Sequence, residues 1–252
     1  GYSSAASDVY KRQCVNIYKN ADKTKYDIKV AGITKEGEWY DLVSTDFSSD
    51  NWLEGATKIT DHFTFLKSFD VVFPVLHGQF GEDGTIQGLL EMAQIPYVGC
   101  RVMASCTAMD KIYAKKLFDQ ANIPQVPSLY VKKRYDDKLV VVDDEGRASF
   151  NVEMEIYTHL GFPCFVKASR SGSSVGCYKV NSLTELLPRL HEAATYDRHV
   201  VVEKAINATE LECAVIGNDD ISASRVGQIL PHGEFYTCLL YTSPSPRDRT
   251  RS

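Results

Sequence analysis

The stretch VVFPVLHGQFGEDGTIQGLLEMAQIPYVG (71–99) constrains this chain more than any other. Its apolar run VVFPVL (71–76) has the length and composition of a strand buried on both faces. The eight residues from His77 to Gly84 then hold three glycines, two acids and one histidine. Beyond them Ile86, Leu89, Leu90 and Ala93 recur at helical spacing, with Asp83 or Thr85 placed to cap the helix. IPYVG (95–99) reads as a second short strand. Strand, helix and strand in this order predict a parallel βαβ unit. A glycine-rich turn at the C-terminal end of a parallel strand is where α/β folds bind ligands. His77 there is placed to hydrogen-bond a substrate carboxylate or a loop hydroxyl. A tight turn with Glu82 and Asp83 as capping acids explains the same residues, and the residues alone leave both readings open.

The rest of the chain reads as alternating strands and helices. KYDIKVAGIT (25–34) is strand-like as far as Gly32. A helix is predicted from about Ala108 to Ala121, with Met109, Ile112, Tyr113 and Leu117 on one face and Pro124 as its stop. VPSLYV (126–131) and LVVV (139–142) read as strands. A further helix covers about Ala148 to Leu160, with Gly161 at its C′ position. PCFVK (163–167), VGCYKV (175–180), HVVVEK (199–204) and LECAVIG (211–217) read as strands. SLTELLPRL (182–190) opens with a capping box, Ser182 and Glu185, and Pro188 within it predicts a kink. The expected fold class is α/β, turning to α+β in the second part, with the boundary near Ala104 to Thr107.

The two ends differ from this pattern. GYSSAASDVYKRQ at the start and LLYTSPSPRDRTRS at the end carry no 3.6 or 2.0 apolar period. Residues 1–13 and 239–252 are expected to be non-native flanks outside the fold, a genuine flexible tail being the alternative. A net charge of −5 argues against a polyanion partner such as nucleic acid. No apolar run approaches the roughly 20 residues that span a bilayer, and the N-terminus has no apolar segment of a secretory signal. Seven cysteines without a CxxC pair are expected to be reduced, mostly buried thiols of a cytoplasmic protein. The six histidines show no HExxH or HxH spacing, so no zinc site is expected.

FVKASRSGSSVGCYKV (165–180) carries the clearest chemistry. Lys167 ends an apolar strand, and Gly172, Ser173, Ser174 and Gly176 follow it. Glycines let successive N–H groups turn toward one point, and serines add hydroxyl donors, which together make an anion cradle. A lysine beside it supplies a point charge for phosphate. The Walker pattern GxxxxGK[ST] is absent, and an ordinary Gly/Ser hairpin remains the alternative. In VVVEKAINATELECAVIG (200–217), Glu203, Glu210 and Glu212 stand at strand ends, where they serve either as acceptors for a ribose or amino group or as solvated edge residues. Lys111 opens a helix that also holds Lys115 and Lys116. A lysine in a first turn opposes the helix dipole unless an anion is near, and a solvated helix face is the plainer reading.

HGQFGEDGTIQGLLEMAQIPYVG, MASCTAMDK (103–111), PCFVKASRSGSSVG (163–176) and VVVEKAINATELECAVIG, in this order, resemble the D-alanine–D-alanine ligases of the ATP-grasp superfamily. The resemblance runs from about Cys14 to Thr237. It implies an N-terminal α/β domain at 14–106, a central ATP-grasp subdomain at 107–202, and the start of a C-terminal ATP-grasp subdomain at 203–238, left incomplete. It further implies that ATP phosphorylates the carboxylate of one D-alanine and that the amine of a second attacks the acyl phosphate, with magnesium offsetting phosphoryl charge. By motif match Lys111 and Lys167 resemble the two phosphate-contacting lysines. Ser173 and Ser174 fall in the loop over the phosphates, with Ser173 toward the substrate. Glu203, Lys204, Ile206 and Glu210 match the segment that holds adenine and ribose, and Phe235 an aromatic of the adenine pocket. His77 matches the histidine near the first D-alanine.

There are departures. The family's N-terminal loop, with its glutamate for the first ammonium, is expected just before Cys14, where SAASDVYKRQ stands. CLLYTSPSPRD stands where a loop lysine, an arginine, the Asp/Glu/Asn magnesium ligands and the second D-alanine site are expected. The chain therefore reads as a ligase piece truncated at both ends and inactive by itself. Its parent would be a cytoplasmic enzyme making the dipeptide of cell-wall peptidoglycan, with D-alanine and ATP as partners, no nucleic acid or membrane partner, and a homodimer left open. A D-alanine–D-lactate ligase and a non-catalytic nucleotide-binding module are the alternatives.

Overall fold

The computed structural model describes residues 4–43, 51–172 and 174–229. Two compact units divide between Asp110 and Lys111. The first holds α1 (Ser4–Asn20), β1 (Val30–Ile33), β2 (Trp39–Leu42), β3 (Thr57–Ile59), α2 (His62–Leu66), α3 (Thr85–Ala93) and α4 (Val102–Met109). The second holds α5 (Lys111–Gln120), β4 (Ser128–Lys133), β5 (Leu139–Val142), β6 (Ala148–Ser149), α6 (Val152–His159), β7 (Cys164–Ala168), β8 (Cys177–Val180), α7 (Leu183–Tyr196) and β9 (His199–Lys204). The short strands β10 (Leu211–Glu212), β11 (Val215–Ile216), β12 (Ser222–Ala223) and β13 (Gly227–Gln228) follow.

In the first unit β1, β2 and β3 form an antiparallel sheet. Leu66, Ile86, Leu90 and Ala93 bury against one another, with Val72, Leu76, Ile95 and Tyr97 packed on them. The α3 helix therefore buries the face its spacing predicted, except that Leu89 stays half-buried. The two strands expected on either side of α3 are not formed. All that remains is one parallel bridge, Val72 to Tyr97, carried by Val72 N–H to Pro96 O (2.9 Å) and Val98 N–H to Val72 O (2.9 Å). Pro74 and Pro96 lack the N–H groups that would extend it. Val71 and Phe73, expected to be buried, are 49% and 55% exposed. At the start of the chain Ser4–Asn20 is helical, although residues 1–13 carry no apolar period.

The second unit is built on a six-stranded sheet in the order β6-β5-β4-β9-β7-β8, antiparallel throughout. Alternation along each strand sends Val131, Val141, Cys164, Val166, Val180, Val200 and Val202 to one face. There α6 and α7 cover them with Ile156, Leu186, Leu190 and Ala193. Full burial of a Leu or Ile side chain contributes about 2 kcal/mol each, so this layer holds the sheet flat against its helices. α7 is continuous through Pro188, its sixth residue, where the missing N–H leaves the Thr184 carbonyl without its i+4 donor. The expected capping box is not made, because Glu185 reaches one residue past the N-cap Ser182. The Glu185 carboxylate accepts from the Asn181 N–H (2.9 Å), while the Ser182 hydroxyl contacts Thr184 instead of capping the helix.

The predicted Ala108–Ala121 helix is broken at Asp110, which is extended. The Lys111 N–H donates to the Ser169 carbonyl (3.2 Å) and the Ile112 N–H to the Ser169 hydroxyl (3.2 Å), so Ser169 takes the donors that would have continued α4. Of the predicted apolar face Ile112 is buried, whereas Tyr113 and Leu117 are exposed. LECAVIG is two strands, not one. β10 pairs with β13 and β11 with β12, and three residues (224–226) oppose two (213–214) between the pairs, a bulge pinned by Ala214 N–H to Ser224 Oγ (3.0 Å). The described cysteines are free, but Cys100, Cys106 and Cys213 are exposed, against the expectation of mostly buried thiols. Among the described residues no helix is long and apolar enough to cross a membrane.

Candidate functional site

The second face of the six-stranded sheet carries Phe165, Lys167, Val201 and Glu203, because Phe165 pairs with Glu203 and Lys167 with Val201. Lys167 and Glu203 are thus diagonal neighbours on adjacent strands. Lys167 Nζ lies 2.5 Å from Glu203 Oε2, and Lys115 Nζ, from α5, lies 2.9 Å from Glu203 Oε1. Burial works to raise the Glu203 carboxyl pKa, but the Lys167 and Lys115 ammoniums outweigh it and hold the group below the usual carboxylate range. The neighbouring Cys177 thiol is pushed up by burial, against the opposing pull of Lys167 and Lys111.

Lys111 opens α5 one turn before Lys115. Its ammonium faces the carbonyls of Ala168 (3.3 Å), Ser169 (3.3 Å) and Ser171 (2.5 Å), at the root of the Gly/Ser loop. Three carbonyl dipoles thus compensate the first-turn lysine that the helix dipole disfavours. The loop itself is a tight reversal. Ser174 takes a left-handed conformation (φ 61°), the Val175 N–H donates to Gly172 O (3.0 Å), and the Ala168 N–H donates to Gly176 O (2.9 Å). Gly176 has φ +65°, and a Cβ there would lie 2.9 Å from Ala168 Cβ and 3.0 Å from Tyr196 Cδ2. Gly176→Ala is expected to destabilise the second unit by about 2 kcal/mol, read by urea denaturation. An unchanged midpoint would mean that the loop closes without a glycine.

A second ion pair anchors this loop. The Asp197 carboxylate, 2% exposed, accepts from Arg170 Nε (2.9 Å), Arg170 Nη2 (2.8 Å), the Arg170 N–H (3.0 Å) and the His199 N–H (3.1 Å). Neither Lys115 nor the Arg170–Asp197 pair stood out in the sequence. For Lys115 the available signal was its i,i+4 spacing from Lys111. For Asp197 nothing local distinguishes it from a surface acid after a helix.

Lys204 ends β9, its N–H on the Pro127 carbonyl (3.0 Å), and its side chain is exposed. Ile206 and Glu210 stand exposed in the segment after β9. Ser173 and Phe235 lie outside the described residues. The structure therefore brings Lys111, Lys167 and Glu203 around one sheet face, and leaves Lys204, Ile206 and Glu210 on the chain leading away from it.

His77 belongs to the first unit. Its Nε2 is 2.7 Å from Gln13 Oε1 and its Nδ1 is 3.6 Å from Glu82 Oε1, while Glu82 Oε2 accepts from the Gly78 N–H (2.6 Å). The His77 hydrogen bond chiefly holds the Glu82 carboxyl below its ordinary range. Asp83 accepts from the N–H groups of Phe80 (2.9 Å) and Thr85 (3.0 Å), so the acid caps the start of α3 from just outside it. His77, Glu82, Gln87 and Ser105 line a cavity of about 610 Å³ within this unit.

Three ammoniums, on Lys111, Lys115 and Lys167, suit phosphate oxygens, and the Glu203 carboxylate suits a donor such as an amino group of a base. Among the described residues no group of three or more His, Cys, Asp or Glu is placed to hold a metal ion.

The family model for the D-ala D-ala ligase N-terminus matches residues 3–100, and that for the D-ala D-ala ligase C-terminus matches residues 117–242. The matches thus extend beyond the 14–237 span carried by the motifs. The D-alanine–D-alanine ligase of Acetivibrio thermocellus is 42% identical, covering 94% of this chain and 68% of its own length. That of Thermoanaerobacter sp. (strain X514) is 41% identical over 94% of this chain and 67% of its own. Among solved structures, the D-alanine–D-alanine ligase from Coxiella burnetii superposes with a TM-score of 0.76 at 32% identity, over 88% of this chain and 67% of that one. The VanG D-Ala:D-Ser ligase from Enterococcus faecalis superposes with a TM-score of 0.77 at 33% identity, over 93% and 71%.

Proposed function

Since the chain belongs to the D-alanine–D-alanine ligase family, we propose that its second unit binds ATP for the joining of two D-alanines. The Lys115–Glu203–Lys167 cluster beside the Gly/Ser loop carries this reading. Bound ATP supplies a phosphoryl group that turns a carboxylate's poor leaving group into a good one, so that an amine can displace it. The chain's own residues bind and orient. Lys167 neutralises a phosphate, and Lys111 holds the root of the loop above it. Ser174 and Gly176 let backbone N–H groups approach the phosphates. Glu203 offers a carboxylate oxygen to the base, while Lys204, Ile206 and Glu210 follow it toward the base and ribose. Ser173 and Phe235 complete that assignment by motif alone.

In the first unit His77, held between Gln13 and Glu82, is proposed to face the first D-alanine. A cytoplasmic role in supplying dipeptide to peptidoglycan synthesis goes with this reading. D-Alanine is assigned as the acceptor because the curated relatives carry that name, although one structural neighbour is named for D-serine.

Ligand-dependent melting tests the reading. ATP with Mg²⁺ at a hundredfold over its Kd is expected to raise the melting midpoint by about 5 °C. D-Alanine is expected to add to that rise and L-alanine not. No shift with ATP, or equal shifts with the two alanines, would contradict the assignment.

A further inference from the structure

Glu203 is held by two lysines, one on each oxygen, and the two differ in how firmly they are built in. Lys167 stands at the end of β7, where the chain enters the Gly/Ser loop, and its side chain is 27% exposed. Lys115 is 17% exposed and sits within α5, whose first turn is fixed by Ser169. One turn further on, the Gln125 amide ties the helix, donating to the Lys115 carbonyl (2.8 Å) and to Asp119 Oδ1 (2.6 Å). Glu203, between them, has 13% of its side chain exposed. A carboxylate so placed is costly to leave without a cation.

A nucleotide makes competing demands on this cluster. Its phosphate draws Lys167 away from Glu203, and its base asks for a Glu203 oxygen as an acceptor. Both can be met together only if a second cation stays on the carboxylate. We propose that Lys115 is a positioning residue of the nucleotide site, holding the Glu203 carboxylate through Oε1 while Lys167 leaves Oε2 for phosphate. The freed Oε2 is then a fixed, charged acceptor. It suits the exocyclic amino group of a 6-aminopurine and repels the carbonyl oxygen of a 6-oxopurine. Lys115 thereby sets base preference without touching the nucleotide. The inference rests on the nucleotide reading above and adds to it the residue that keeps that reading's two halves compatible.

Calorimetric titration of the 252-residue protein with ATP and with inosine triphosphate tests this. Lys115→Met is expected to weaken ATP binding about tenfold and inosine triphosphate binding little, so that the preference between them collapses. Lys115→Arg is expected to restore most of the preference. Lys116→Met, whose lysine pairs with Asp144 at 3.2 Å on the surface, is expected to change neither value. Should Lys115→Met fail to fold, Lys115→Gln carries the same expectation. A lysine serving only as a staple between α5 and β9 would lower the melting midpoint and leave the preference intact, which overturns the proposal. Equal losses for both nucleotides, or no recovery with arginine, overturn it as well. If wild type binds no ATP, the nucleotide reading fails and the proposal with it. If wild type binds, Lys167→Ala does not and Lys115→Met still discriminates, the proposal alone fails.

Discussion

Lys167→Ala is expected to weaken ATP binding about a hundredfold while leaving the melting midpoint within a few degrees of wild type. The two halves of that expectation have different causes. Binding falls because Lys167 is the charged side chain of β7, at the entry to the Gly/Ser loop, and without it a phosphate brought there faces the Glu203 carboxylate with one cation fewer to offset the repulsion. Stability holds because Lys115 stays 2.9 Å from Glu203 Oε1, so the carboxylate keeps a cation after Lys167 is gone. Glu203→Gln separates the roles further. It removes the charge that both lysines face, so two half-buried ammoniums lose their partner and the folded state weakens. Equilibrium dialysis with radiolabelled ATP, beside a melting curve, reads both quantities. Undiminished binding by a folded Lys167→Ala protein would remove the phosphate role of Lys167.

Asp197→Ala is the second large effect, and here stability is the readout. The carboxylate is 2% exposed and accepts four hydrogen bonds, two of them from the N–H groups of Arg170 and His199. Truncation removes the buried carboxylate on which these four bonds converge, and a loss of about 3 kcal/mol at neutral pH is expected. Burial acts to raise the Asp197 pKa, but Arg170 and the two N–H groups win, and it lies below the ordinary aspartate range. The folded state therefore binds fewer protons at this site than the unfolded chain. Stability from Asp197 is complete above the unfolded pKa of about 4 and is lost as pH falls through the lower folded value. Urea midpoints at pH 7 and pH 3 should show the wild-type advantage over Asp197→Asn shrinking at the lower pH. A constant difference would place the contribution in shape and not in charge.

Much of the second unit was legible because its strands are short apolar runs between turn residues. LVVV is β5 at its own bounds, HVVVEK is β9, and PCFVK differs from β7 by one residue at each end. The alternation that buries Val200 and Val202 under α7 also puts Lys167 and Glu203 on the opposite face, so the sheet side of the candidate site follows from strand parity. What failed was decided at long range. VVFPVL has the composition of a central strand, but Pro74 and Pro96 leave too few donors for more than a bridge. The break at Asp110 comes from Ser169, which lies far along the chain and takes the first N–H groups of α5. LECAVIG splits because Ser224, on the return strand, forces a bulge that no local pattern announces. Lys115 reads from sequence as one solvated lysine among three on a helix, and only the fold places it on Glu203.

Whether this sheet face is a nucleotide site is tested most directly by calorimetric titration of the wild-type protein with ATP. A saturable, single-site isotherm, with inosine triphosphate bound more weakly, is the predicted result. A trace with no heat beyond dilution, together with a melting midpoint that ATP does not move, would contradict it.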